Sequence, residues 1–252
     1  LVKRADDRLT GAEAALLRYA EEIQEAERRR LDSDARASEA LGSIFGPEVR
    51  LVKAASVGHR MIFVVDGLLP AQLRGQLFQD LETDAYRRTE FARQDTRDYR
   101  HHVVEYDPER LRRSELFALV DRLVRVLFPP SVLGAPGQRP TDLEVYRIYT
   151  NAVMFGDVAF VHRDASSDEH VTVLVYPNLK WAPELGGETV FYTEDGDIAQ
   201  AVEPRPGRVV LFHGSIMHKG SPPSRLLWGA RYTMAFKYAP PEEPGEGEEE
   251  EG

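Results

Sequence analysis

The sequence predicts one mainly β domain, a sandwich or barrel with flanking helices, rather than a parallel α/β sheet. Three observations carry this. Six short β-rich runs recur between residues 143 and 238, broken by Gly, Pro and Asp. The strongest helical periodicity lies in the part of the chain before them. At 252 residues and 42% hydrophobic composition the chain can bury one sizeable core, and it contains no internal repeat.

Residues 10–30 read as one amphipathic helix. Thr10 with Glu13 fits a capping box, and Ala15, Leu16, Tyr19, Ile23 and Ala26 return at helical spacing. A second, short helix is expected over residues 33–45, ending near Gly46-Pro47. These helices can pack on the domain or on a second copy of themselves, so a homodimer through them is the candidate assembly; their charged outer face reads as solvated. Strand character begins at Arg60–Asp66, followed by Gly67-Leu-Leu-Pro70 and a helix over residues 71–83. A second long helix, residues 113–127, stops at Pro129-Pro130. The β runs follow at residues 143–150, 159–162, 170–176, 189–192, 208–212 and 228–238. This order divides the chain into a helical extension (1–56), a β domain (57–239) and an acidic tail (240–252).

The net charge of −10 describes the tail more than the body. Seven glutamates (Glu242, Glu243, Glu246, Glu248, Glu249, Glu250, Glu251) lie beyond Tyr238, and without them −3 remains. The Pro/Gly/Glu tail cannot bury apolar surface and reads as disordered. Neither part carries the basic excess of a nucleic-acid-binding protein. No apolar run approaches the roughly 18 residues of a membrane span, and the polar start Leu1-Val-Lys-Arg-Ala-Asp-Asp7 is unlike a signal peptide. Leu1 is no initiator methionine, so N-terminal residues are expected to have been removed. A cytoplasmic protein is the expectation. The absence of cysteine excludes disulfides, thiolate zinc sites, iron–sulfur clusters and cysteine nucleophiles, and leaves nitrogen and oxygen as ligands for any metal. Only five of the 32 basic residues are lysines (Lys3, Lys53, Lys180, Lys219, Lys237), which we read as the mark of a GC-rich genome.

His162-Arg163-Asp164 ends one of the β runs. Residues i and i+2 of a strand share a face, so His162 and Asp164 can meet at one point while Arg163 turns away. With one more neutral donor they would form a 2-His-1-carboxylate set, which leaves positions open and suits Fe(II) that must bind oxygen and a co-substrate. By itself His-x-Asp is a weak signal, and a surface turn is the plainer reading. Two histidines offer the third ligand, in His213-Gly-Ser-Ile-Met-His218-Lys-Gly220. We prefer His218, on a short loop with a nearby glycine; His213 continues its strand's alternation and suits a structural role. Thirteen residues on, Arg231 stands at the last strand with Thr233 on the same face. An inward arginine in an apolar barrel calls for an anion, and a guanidinium grips a carboxylate in a bidentate way, as a dicarboxylate co-substrate would supply. An outward arginine paired on the surface fits the pattern equally.

Taken in order, four pieces make the sequence resemble the Fe(II)/2-oxoglutarate-dependent dioxygenases, and among them the prolyl-4-hydroxylase-like branch. They are His162-x-Asp164, Gly186-Gly-Glu-Thr189-Val-Phe191, Pro206-Gly207-Arg-Val-Val-Leu-Phe212 leading to His218, and Arg231. The likeness covers residues 143–238 well, 60–83 in outline, and 1–56 not at all. It implies a double-stranded β-helix (jelly-roll) core with Fe(II) on His162, Asp164 and His218. It also implies 2-oxoglutarate as co-substrate with its far carboxylate on Arg231, O2 as oxidant, and ascorbate as a candidate reductant. The implied reaction is hydroxylation of an unactivated C–H bond with release of succinate and CO2. Asp164 implies a hydroxylase or desaturase, because halogenating relatives carry a small residue there.

The sequence also departs from the branch. Relatives often show Tyr-x-x-Gly-x-x-Tyr-x-x-His-x-Asp, whereas Val153 and Ala159 hold the tyrosine positions here. Tyr149 or Tyr146 is then the candidate phenol for the co-substrate. The branch also commonly has lysine in the place of Arg231. The implied substrate is a small molecule or amino-acid-type group, free, carrier-linked or peptidyl. Residues 86–106, with Arg87, Arg88, Arg93, Arg97, Arg100, His101 and His102, correspond to a lid in similar enzymes. A basic lid would suit an acidic substrate, while a solvent-exposed loop explains the same charges. Trp181 and Asn178 either line the mouth or cover the core. Two competing readings remain: a cupin-like metalloenzyme that does not use 2-oxoglutarate, which gives no reason for an inward Arg231, and a non-catalytic jelly-roll binding module, which gives none for three intact ligands.

Overall fold

The computed structural model describes residues 11–129 and 142–241, with side chains from residue 15 onward. Among the described residues four α-helices, α1 (Gly11–Phe45), α2 (Ala71–Glu82), α3 (Pro108–Leu111) and α4 (Glu115–Leu127), accompany eleven strands. The strands are β1 (Arg50–Val57), β2 (Arg60–Asp66), β3 (Arg87–Glu90), β4 (His101–Tyr106), β5 (Glu144–Val153), β6 (Val171–Val175), β7 (Thr189–Tyr192), β8 (Ile198–Val202), β9 (Val209–His213), β10 (His218–Gly220) and β11 (Arg231–Ala239). Eight form one sheet in the order β1-β2-β9-β6-β11-β5-β4-β3, and three form a second in the order β10-β7-β8. All pairings are antiparallel, so the predicted mainly β architecture with a jelly-roll core is the one found.

Both faces of the large sheet are covered, and the period-2 alternation shows how. Val171, Val173 and Val175 of β6, Val209 and Leu211 of β9, and Met234, Phe236 and Tyr238 of β11 pack with Leu116, Val120, Leu123 and Val124 of α4. The intervening residues Leu174, Val210, Phe212 and Ala235 turn to the other face, towards Phe191 of the small sheet and Ile216. Strands buried on both faces read as continuous apolar runs, which is why β6 and β9 stood out in the sequence. Ser114 caps α4 by accepting from the Phe117 amide at 3.1 Å.

Three expectations change. The N-terminal segment is one helix through residue 45, not two. Arg30 donates to Asp34 at 2.8 Å and to Glu27 at 2.6 Å, bridging the stretch where a break was expected. The strand β1 of the main sheet takes in residues 50–56, which the sequence placed in the helical extension. Residues 159–162 form no strand; His162 makes only an isolated bridge to His218. The Thr10 capping box and most of the acidic tail lie outside the described residues.

Candidate active site

Two side-by-side backbone segments bring the predicted ligands together. His162 and His218 exchange both amide–carbonyl hydrogen bonds at 2.9 Å, and the Asp164 amide donates to Gly214 O at 2.8 Å. One nitrogen from each histidine and one Asp164 oxygen then lie within 4.8 Å of one another. His162 Nε2 stands 3.6 Å from Asp164 Oδ1, and His218 Nε2 stands 3.4 Å from Oδ2.

The imidazoles are oriented from behind. His162 Nδ1 is 3.0 Å from Phe160 O and His218 Nδ1 is 2.9 Å from Ile216 O. Because a carbonyl only accepts, each Nδ1 carries the proton and each Nε2 presents its lone pair inward. Burial pulls His218 down to about 4, so it stays neutral. Burial alone would push the Asp164 carboxyl up, but Lys237, His218 and His162 outweigh it and hold it well below the usual range. Two imidazole nitrogens and a carboxylate on one face fit a divalent iron.

His213 goes elsewhere. Its Nδ1 accepts from the Met61 amide at 2.9 Å and its ring meets Phe128 edge-on at 5.0 Å, the structural role its alternation suggested.

Arg231 opens β11 and is 2% exposed. Its Nε donates to Gly187 O, one Nη to Thr233 Oγ1 and the other to Thr189 Oγ1 at 3.1 Å. No carboxylate lies within ion-pair distance of it among the described residues, so the buried guanidinium has hydrogen bonds but only the more distant charge of Glu188. Gly187, at φ 82°, makes room: a Cβ there would lie 2.9 Å from Arg231 Cδ and 2.9 Å from Trp181 Cζ2. Asn178 fixes the start of β11 by donating to Ala230 O (3.1 Å) and accepting from the Tyr232 amide (2.9 Å). Asn178 and Trp181 therefore support the Gly-Gly turn and β11 rather than lining the mouth.

A cleft of about 830 Å³, solvent mouth included, contains His162, Asp164, His218, Arg231, Tyr149 and Thr233 in its wall. Tyr149 is buried there, whereas Tyr146 is half-exposed against His170; of the two candidate phenols only Tyr149 faces the site. The 86–106 stretch contributes Glu90, Phe91, Ala92, Tyr99 and His101 to the wall, and none of its arginines. Arg88 turns to Arg100 O and Asp157, and Arg93 to Asp95 and Val161 O. Of the two readings of this stretch, the arginines follow the exposed loop rather than a basic lid over the cleft.

Sequence reasoning missed Lys237, which stands on the same strand face as Arg231 and Thr233 and donates to both Asp164 Oδ2 and Thr172 Oγ1. Thr172 donates to the same Oδ2 at 2.7 Å. Period-2 counting from Arg231 would have placed Lys237 in the site.

Outside the cleft, a charge cluster ties the ligand segment to its neighbours. Asp168 accepts from Arg60 (2.8 Å) and from Ser215 and pairs with His59 (2.6 Å), while Glu194 accepts from Arg163 (2.6 Å) and Arg60. Burial pushes the Asp168 carboxyl up, but Ser215, His59 and Arg60 outweigh it and hold it at about 2. Hydrogen bonds from Arg163 and Arg60 bring Glu194 to about 2. A carboxylate depressed in the folded state stabilises the fold above its unfolded pKa near 4, and that stability is lost as pH falls towards 2. Asp168→Asn should lose about 1 kcal/mol at neutral pH, given its partial exposure. Its thermal midpoint should fall less steeply than wild type between about pH 5 and pH 3; equal slopes would mean the cluster contributes nothing.

Residues 150–238 match the 2OG-Fe(II) oxygenase superfamily. No curated protein matches in sequence. Among solved structures, a prolyl-4-hydroxylase from Pseudomonas putida is similar at 19% identity and TM-score 0.51, over 71% of this chain and 92% of that one. A Trichoplax adhaerens prolyl hydroxylase, solved with a hypoxia inducible factor peptide fragment, gives 16% and 0.54 over 83% and 92%. HygX from Streptomyces hygroscopicus, solved with nickel and 2-oxoglutarate, gives 18% and 0.50 over 72% and 83%. At these identities the likeness is one of fold, and no helix of the described residues is long and apolar enough to cross a membrane. The resemblance seen in the motifs is thus met twice: residues 150–238 match the model of the 2OG-Fe(II) oxygenase superfamily, whose cofactors are Fe(II) and 2-oxoglutarate, and the fold is similar to that of solved prolyl hydroxylases.

Proposed function

We propose that this enzyme hydroxylates an unactivated C–H bond of a small molecule or amino-acid-type substrate, free, carrier-linked or peptidyl. The observation that carries the reading is the buried Arg231, without a carboxylate partner, in the same cleft as His162, Asp164 and His218. When bound, iron with 2-oxoglutarate and O2 supplies the oxidation, one oxygen atom entering the C–H bond and the other the succinate formed with CO2.

The chain's own residues hold and orient. His162, Asp164 and His218 hold the metal on one side and leave the cleft side open. Arg231 takes the distal carboxylate of 2-oxoglutarate, with Thr189 and Thr233 fixing its fork, and Tyr149 stands by for the co-substrate. Phe91, Tyr99 and Phe160 form an apolar wall that limits water and seats the substrate body. Anaerobic addition of Fe(II) and then 2-oxoglutarate should produce the weak visible charge-transfer band of a chelated 2-oxo acid. Iron binding without that band would return the site to a cupin-like metalloenzyme. Ascorbate is expected to sustain turnover as reductant.

The N-terminal helix supports a homodimer. Leu16, Tyr19 and Ile23 are 68%, 61% and 51% exposed along one stripe of α1. Glu21, Glu22, Glu25 and Glu27 precede Arg28, Arg29 and Arg30, so an antiparallel second copy would set acid against base. Sedimentation equilibrium should show a dimer that Ile23→Glu converts to monomer; a wild-type monomer would end this assignment.

A further inference from the structure

Lys237 is a buried cation that nothing in the assigned chemistry uses. Its side chain is 6% exposed, and its ammonium donates to Asp164 Oδ2 and, at 3.2 Å, to Thr172 Oγ1. Tyr149 covers it, with Nζ 5.7 Å from the ring centroid. Arg231, Thr233, Ala235 and Lys237 stand at alternate positions of β11 and all line the cleft. One strand therefore carries two buried cations. The first lacks an acid partner, and the second has one that must also serve the metal.

We propose that Lys237 is a resident counter-ion for the metal-ligand carboxylate, which neutralises Asp164 before loading and competes with the metal after it. The inference rests on the ligand set given above. Oδ2 is taken by Lys237 and Thr172, while Oδ1 lies on the His162 side. Asp164 accordingly offers the metal one oxygen and is held in the rotamer that does so. A carboxylate buried without a cation would be costly, so the ammonium makes the empty site tolerable. Once a divalent ion arrives, the same ammonium faces a like charge across a single carboxylate. Both effects act in one direction: Lys237 weakens metal binding.

The sign follows for substitutions. Lys237→Met keeps the length of the side chain and removes the charge, so Asp164 in the metal-free protein loses its counter-ion and the loaded protein loses a repulsion. Thr172 still donates to Oδ2, which preserves the carboxylate's orientation. The Met variant should bind Mn(II) at least about tenfold more tightly than wild type. Its thermal midpoint should be lower without metal and rise more on adding it. Lys237→Arg, which retains the charge, should bind close to wild type.

The experiment is calorimetric titration of metal-stripped protein with Mn(II) alone, with no turnover involved. Wild type and His162→Ala are measured first, and loss of binding in His162→Ala establishes the ligand set. Tighter binding in Lys237→Met with a larger metal-induced thermal shift supports the counter-ion role. Unchanged or weaker binding overturns it while leaving the ligand set standing. Failure of wild type to bind Mn(II), or full retention by His162→Ala, overturns both. If the stripped Met variant does not fold, Lys237→Gln, which keeps one donor for Asp164, must show the same direction.

Discussion

His162→Ala should abolish 2-oxoglutarate turnover, lowering succinate formation by at least about 1,000-fold, beyond the roughly tenfold to hundredfold typical of groups behind the ligands. The fold should survive. His162 is joined to His218 by backbone hydrogen bonds that alanine retains, and the segment is anchored by Asp164 and Ala165 amides on Gly214 O. Loss of activity with an unchanged unliganded thermal midpoint would therefore assign the effect to the site. Asp164→Ala should lose turnover as well, but at a cost in stability, because it strands the buried Lys237. The two variants thus differ in a way that a common structural collapse would not produce. Persistent succinate formation in His162→Ala would remove His162 from the metal.

How much of this the sequence carried depended on burial. The strands that cross the middle of the large sheet, β6, β9 and β11, are buried on both faces and were located to within a few residues. The missed strands lie at sheet edges or between charges. β3 is Arg87-Arg-Thr-Glu90, an edge strand with three of four residues exposed, and edges favour the charged residues that sequence patterns assign to loops. β8 is likewise an edge, with only Val202 buried. The two-helix reading of the N-terminus put a break between residues 30 and 33, a stretch that Arg30 bridges. The candidate ligands were legible because they sit in short, punctuated motifs, and the fold brings those motifs together. Lys237 escaped because a charged residue near a strand end reads as exposed, although its spacing from Arg231 fixes its face. The arginines of residues 86–106 left two readings open, since composition does not say which way a side chain points, and Arg88 and Arg93 serve Asp157, Asp95 and backbone carbonyls.

Arg231→Met should raise the KM for 2-oxoglutarate by at least about 30-fold, the low end of the roughly 2–5 kcal/mol cost of removing one partner of a buried charge pair. The unliganded protein should tolerate the change. Wild-type Arg231 is held by Gly187 O, Thr189 and Thr233 without a direct carboxylate partner, and burial drags its guanidinium below its ordinary pKa. Removing such a group relieves desolvation while Tyr176 continues to donate to Thr189 at 2.7 Å. The discriminating measurement is the thermal shift on adding 2-oxoglutarate to Mn(II)-loaded protein: large in wild type, absent in the Met variant, with Mn(II) affinity unchanged in both. Arg231→Lys keeps the charge but not the fork, and should fall between them. An undiminished shift in the Met variant would place the distal carboxylate elsewhere, and Lys237 would then be the remaining buried cation in the cleft able to receive it.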